Sequence, residues 1–226
     1  ILRLKEYSTE NGTSTSFEHI SINNSTLTDN AVYCFAPGSM NKLWIGTENG
    51  INYYLYKSKQ LKTFTVTADG KKVKYVHSIH ELNDTTLWVS TVGEGIVKII
   101  LNKNGITPTV KSATRIILDG GRLASNYFFT SFQENDSILW FGNRGYGAHR
   151  LNLETGKFTP YKFDNIVNSQ MTNDIFAIYK NENGYWFATS SGLLHFNQED
   201  SQHHNKVELL SKNTAHGILE DQQNNI

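Results

Sequence analysis

The sequence predicts an all-β chain, a β-propeller assembled from four-stranded antiparallel blades. Three observations predict it. First, a tryptophan followed by β-formers or small residues and then a glycine turn occurs four times. The copies are Leu43-Trp44-Ile45-Gly46-Thr47 with Gly50-Ile51, and Leu87-Trp88-Val89-Ser90-Thr91 with Gly95-Ile96. They continue at Leu139-Trp140-Phe141-Gly142-Asn143 with Gly147-Ala148, and at Tyr185-Trp186-Phe187-Ala188-Thr189 with Gly192-Leu193. Successive tryptophans stand 44, 52 and 46 residues apart, the period of one small sheet repeated around an axis. Second, runs such as Tyr33-Cys34-Phe35, Phe128-Phe129 and Ile99-Ile100-Leu101 are apolar on both alternations. Sheets squeezed between two neighbours read that way, because both of their faces are dry. Third, no helical period survives over a useful window, and the runs are separated by Gly, Asn, Asp and Lys, as tight antiparallel turns require.

Taken in order, residues 1–22 form the closing half of a blade. Ile1 to Tyr7 aligns with the third-strand run at Ala148-His149-Arg150-Leu151-Asn152, and Phe17 to Ile22 reads as a fourth strand. The blade at 25–67 has runs Asn30 to Pro37, Lys42 to Glu48, Ile51 to Lys57 and Leu61 to Thr67. The blade at 73–118 has Val76 to Leu82, Thr86 to Val92, Ile96 to Leu101 and Thr114 to Leu118. The blade at 124–163 has Tyr127 to Glu134, Ile138 to Asn143, Ala148 to Leu153 and Phe158 to Phe163. The blade at 171–211 has Asp174 to Lys180, Tyr185 to Ser190, Leu193 to Gln198 and Val207 to Ser211. Residues 214–226 begin another, with His216 to Glu220 aligned as a first strand. Four complete blades and two half-blades result. The halves could seal a fifth blade, but the break just before the repeat's own tryptophan favours an arc of a larger propeller. Its unsealed edges would be prone to associate.

Composition narrows the partners. Acidic and basic residues balance at 21 each and are interspersed, so no electrostatic footprint for nucleic acid or an anionic membrane is present. No run approaches a bilayer-spanning length, and the first residues show no export signal. The single cysteine, Cys34, excludes an internal disulfide and reads as an inert core thiol.

The pattern Ser25-Thr26-Leu27-Thr28-Asp29-Asn30-Ala31-Val32-Tyr33 followed by Lys42-Leu43-Trp44-Ile45-Gly46-Thr47-Glu48-Asn49-Gly50-Ile51-Asn52-Tyr53-Tyr54 resembles the two-component regulator propeller repeat. It is repeated at Met171-Thr172-Asn173-Asp174-Ile175-Phe176 followed by Gly184-Tyr185-Trp186-Phe187-Ala188-Thr189-Ser190-Ser191-Gly192-Leu193. Ser90 and Ala188 depart from the glycine the motif prefers, and the stretch from Asn102 to Ser112 is long. The resemblance covers nearly the whole chain. It implies the periplasmic sensor portion of a hybrid two-component system of the kind typical of gut Bacteroidetes. There, two propellers and an immunoglobulin-like domain precede a membrane helix, a histidine kinase and a response regulator. It further implies a glycan-derived oligosaccharide ligand, a homodimer formed through the full ectodomain, and membrane attachment only through parts absent from this sequence.

The residues divide into those that repeat and those that differ. Trp44, Trp88, Trp140 and Trp186 repeat at one place and are expected to be core anchors between blades. Asp29-Asn30, Ser125-Asn126 and Asn173-Asp174 precede first strands and are expected to set turns through side-chain bonds to backbone. Ligand contacts belong where the repeats differ, on the face that gathers the turns between second and third strands. Arg144 and Tyr146 pair a fork of donors with an aromatic face, suited to a sugar ring and its hydroxyls or carboxylate. Glu48 and Glu94 add acceptors, and Asn126, Tyr127 and His77 complete the candidate ligand-binding set. His77 and His80 are three apart on a strand and face opposite sides, which spoils a shared metal site. No cofactor or catalytic residue is expected. The rival readings are a protein-interaction scaffold and a propeller lyase or hydrolase, whose acids would be sought near Glu81 and Glu134.

Overall fold

The computed structural model describes residues 1–9, 12–103, 106–117, 125–163, 173–196, 207–211, 213–223 and 225–226. A hairpin of β1 (Leu2–Thr9) and β2 (Gly12–His19) comes first, followed by four meanders. Blade one comprises β3 (Val32–Gly38), β4 (Lys42–Thr47), β5 (Gly50–Leu55) and β6 (Gln60–Phe64). A small ladder, β7 (Thr67–Ala68) with β8 (Lys71–Lys72), leads onward. Blade two comprises β9 (Val76–Asn83), β10 (Thr86–Thr91), β11 (Ile96–Leu101) and β12 (Val110–Ile116). Blade three comprises β13 (Phe128–Asn135), β14 (Ile138–Asn143), β15 (Ala148–Asn152) and β16 (Phe158–Tyr161). Blade four comprises β17 (Ile175–Asn181), β18 (Gly184–Thr189), β19 (Gly192–Phe196) and β20 (Val207–Leu209). The first strands β3, β9, β13 and β17 lie side by side in that order, so they form the inner row of a propeller. No helix among the described residues is long and apolar enough to cross a membrane.

The core lies between blades. Trp44 packs with Ile79, Leu87, Val89 and Val97 of blade two. Trp88 packs with Phe128, Leu139 and Phe141 of blade three, and Trp140 with Ile178, Tyr185 and Phe187 of blade four. A blade therefore completes its hydrophobic burial only against the next one. Close approach explains two of the repeat glycines. A Cβ on Gly46 would stand 2.6 Å from the carbonyl oxygen of Val76, and one on Gly142 would stand 2.6 Å from that of Ile175. At the same place in blade two, the Ser90 hydroxyl instead reaches the Thr130 carbonyl oxygen at 3.4 Å.

Four expectations are corrected. Trp186 is only half-buried, its ring tilted against His195 at 4.2 Å, because no further sheet stands beyond blade four among the described residues. The fourth strand of blade two begins at Val110 rather than Thr114, since the ladder to β11 runs on to Leu101 opposite Val110. The leading fourth strand begins at Gly12 rather than Phe17, being paired along the whole length of β1. Residues 216–220 carry no strand, and no second strand stands beside them among the described residues.

Candidate functional site

Each inner strand carries a β-bulge at the same place, near its start. In blade one, Val32 pairs with Thr47 and Cys34 with Gly46, leaving Tyr33 as the extra residue. His77, Phe129 and Phe176 are the extra residues in blades two, three and four. A bulge re-aims a side chain out of the regular alternation, and here every re-aimed side chain carries a ring. The rings run in a row from blade to blade. Tyr33 stacks on His77 with centroids 4.1 Å apart, His77 lies 5.9 Å from Phe129, and Phe129 lies 5.2 Å from Phe176. His216, from the segment after blade four, extends the row at 4.7 Å from Phe176.

Together with Cys34, Ser78 and Thr130, these five rings line an open cavity of about 490 Å³ on the inner face. Burial keeps the His77 imidazole below its ordinary range and hence neutral near pH 7. Burial also pushes the Cys34 thiol up to about 12, which leaves it protonated and a poor nucleophile. The Ser78 hydroxyl already shares a 2.7 Å hydrogen bond with Ser131 of the neighbouring blade.

The residues singled out from the sequence fall in different settings. His77 belongs to the ring row. Glu48 stands beside it, accepting a 3.3 Å hydrogen bond from the Tyr33 hydroxyl. Glu94 is committed to blade two, where Arg115 on the outermost strand pairs with it at 2.9 Å. Arg144 and Tyr146 each take another partner. The Arg144 guanidinium lies 5.8 Å from the centroid of Tyr127, and the Lys162 ammonium 5.1 Å from that of Tyr146. The Asn126 carbonyl accepts from the amides of Gly93 and Gly95, at 2.9 and 3.0 Å, tying blade three to the turn of blade two. Its side-chain oxygen is buried with no partner among the described residues.

His80 hydrogen-bonds Gln133 at 2.9 Å, away from the ring contacts of His77. The acids near the inner-strand ends serve the indoles. Glu81 accepts from Trp44 Nε1, and Glu134 accepts from Trp140 Nε1 at 2.8 Å and from Lys180 at 2.9 Å. Of the expected turn residues, Asp29 and Asn173 bond backbone through their side chains, whereas Asp174 accepts from the Ser190 hydroxyl. Asp29 Oδ1 accepts from the Ala31 amide at 2.8 Å, and Asn173 Oδ1 from that of Phe163 at 2.9 Å.

Sequence reasoning missed Tyr33, Phe129, Phe176, His216 and Lys162. A signal was present for the first three, since aligning the repeats puts a ring one position after Val32, Val76, Phe128 and Ile175 every time.

Comparison with known proteins agrees with this architecture. Residues 26–49 match the family model described as two component regulator propeller. Histidine kinase P4 of Formosa agariphila is 28% identical over 176 residues, spanning 74% of this chain and 12% of that protein. The extracellular domain assigned to the hybrid two component system BT4673 of B. thetaiotaomicron superposes with a TM-score of 0.70 at 16% identity, over 95% of this chain and 29% of that one. The one assigned to BT3049 of the same organism gives 0.60 at 22% identity, over 84% and 25%. The chain thus spans about an eighth of the kinase and under a third of either solved domain, and at these identities the structural likeness is one of fold. The chain is a β-propeller, and its first complete blade carries the match to the two component regulator propeller repeat.

Proposed function

We propose that this propeller is the ligand-sensing part of the periplasmic region of a hybrid two-component sensor histidine kinase, and that it recognises a glycan-derived oligosaccharide without transforming it. The observation that carries this reading is the division of labour within each repeat. Trp44, Trp88 and Trp140, the close-approach glycines and the strand-end acids are consumed in joining blades, while a row of rings and the neighbouring turns are left facing solvent. A surface of aromatic faces and dispersed hydroxyls binds sugar rings by apolar contact and hydrogen bonding. Of the acids a hydrolase or lyase would use, Glu81 is held by the Trp44 indole and the Ser39 amide, and Glu134 by the Trp140 indole, Lys180 and Arg150, which supports binding rather than turnover.

Signalling follows from differential affinity. A ligand that prefers one placement of two ectodomains in a homodimer shifts the population of the kinases attached to them. Titration calorimetry of the complete ectodomain against oligosaccharides from the main glycan classes tests the proposal. Saturable binding to one class without product formation is the expected result. Heat from none of them, or turnover of any, overturns it.

A further inference from the structure

The ring row and the outer turns differ in charge, and that difference points to a ligand class. This inference rests on the sensing role proposed above. Among the described residues, the cavity at the row is lined by Tyr33, His77, Phe129, Phe176 and His216, with Cys34, Ser78 and Thr130 beneath. That lining holds no carboxylate, ammonium or guanidinium. The Glu48 carboxylate, hydrogen-bonded to Tyr33, borders it. An anion seated there would lose water without gaining a counter-charge, and would meet Glu48 as well. The cations Arg144 and Lys162 lie elsewhere, over Tyr127 and Tyr146.

We propose that the cavity bounded by Tyr33, His77, Phe129 and Phe176 is the ligand site and that it takes an uncharged oligosaccharide, excluding uronic acid and sulfated sugars. The apolar C–H face of a neutral pyranose is drawn to the electron-rich face of an aromatic ring. Tyr33 and His77 cover one face of each other, but the tilted rings of Phe129 and Phe176 continue the row at 5.9 and 5.2 Å, so a ligand meets several apolar contacts in succession rather than one. Ser78 keeps hydrogen-bonding capacity beyond its bond to Ser131, since a hydroxyl both donates and accepts. The volume also lies in the range of small-ligand sites. The bulges make the arrangement possible, because a regular strand would turn these side chains back into the alternation.

The test sets two groups of variants against two groups of sugars. The complete ectodomain is titrated with neutral hexasaccharides (cello-, xylo- and manno-oligosaccharides) and with anionic ones (oligogalacturonate and a heparin hexasaccharide). Phe129→Leu and Phe176→Leu keep apolar volume while removing the aromatic face. Arg144→Ala and Tyr146→Ala disturb the outer turns. Thermal melts confirm that each variant folds. The expected result is binding of a neutral hexasaccharide, weakened at least tenfold by either leucine substitution and less than twofold by the turn variants. Binding of an anionic sugar that is lost in Arg144→Ala overturns the site and the ligand class, yet leaves the sensing role standing. Neutral binding unchanged by both leucine variants overturns the site alone. Silence toward every sugar overturns the inference together with the reading beneath it.

Discussion

Trp140 and Trp186 occupy the same position in consecutive repeats and have different fates. Trp140 is 1% exposed, enclosed by the rings of Tyr161, Tyr185 and Phe187 from its own and the following blade. Trp186 is half-buried and rests mainly on His195 of its own blade. Their hydrogen bonds differ likewise. The Trp140 indole donates to Glu134, which is also held by Lys180 of the next blade, whereas the Trp186 indole donates to Asn181 of its own blade. An identical local sequence pattern therefore yields a core anchor only where a neighbour closes over it. A propeller repeat does not contain its own core. This is the nearest-neighbour logic of repeat proteins, in which interface terms rather than single units supply much of the stability.

The largest test of that comparison is truncation of both indoles. Trp140→Ala should destabilise the protein by about 3–5 kcal/mol, the usual cost of emptying a fully buried aromatic site. Trp186→Ala should cost about half of that or less. Urea denaturation of the two variants checks this, and equal losses would mean that the open side of blade four is as well packed as the sealed interface.

The same sealed region predicts an acid response. His149, 3% exposed and packed 5.8 Å from Phe128, has its imidazole pushed down to about 4, chiefly by burial and secondarily by the charge of Lys162. The unfolded chain binds the proton near pH 6.5 and the folded one only near 4, so stability is fully present above about 6.5 and falls as pH drops toward 4. The loss across that window should be on the order of 3 kcal/mol. Replacing His149 with Phe should flatten it, which melts recorded at a series of pH values would detect. A variant with an unchanged slope would remove His149 as the cause.

Glu134 offers a smaller contrast. Burial favours its neutral form, but hydrogen bonds from Trp140 and Lys180 outweigh that and leave the carboxyl below its ordinary range. Its contribution is present above about pH 4.5 and is lost as pH falls through the folded value. Glu134→Gln should therefore cost about 1–2 kcal/mol near neutrality, since a charge-assisted bond is replaced by a weaker one. The variant and parent should converge below pH 4, and a constant gap at all pH values would show that shape rather than charge matters there. Smallest of all, Ser90→Gly should cost about 1 kcal/mol, the backbone entropy of a glycine inside a strand, because it restores the glycine of blades one and three and removes only a long hydrogen bond to Thr130.

Most of the architecture was legible in the sequence because its causes are local. Strands show as β-forming runs, turns as glycine and asparagine, and the blade period as a returning tryptophan. The Asp29 turn bond was readable for the same reason, since it spans only two residues. The candidate site was read less well. Arg144 and Tyr146 stand out as residue types, but their partners Tyr127 and Lys162 come from other strands and loops. Glu94 reads as a free acceptor until the fold brings Arg115 of the outermost strand against it.

By itself, then, the sequence determined the number of repeats, the strand order within each and the residues that anchor them. Only the tertiary structure decided which anchors are truly enclosed, which acids are spent on indoles, and that one bulge per blade turns Tyr33, His77, Phe129 and Phe176 into a shared row. The reason is physical. Strand and turn formation depend on neighbours along the chain, whereas burial, pairing and side-chain aim depend on the blade alongside, whose distance no local pattern encodes.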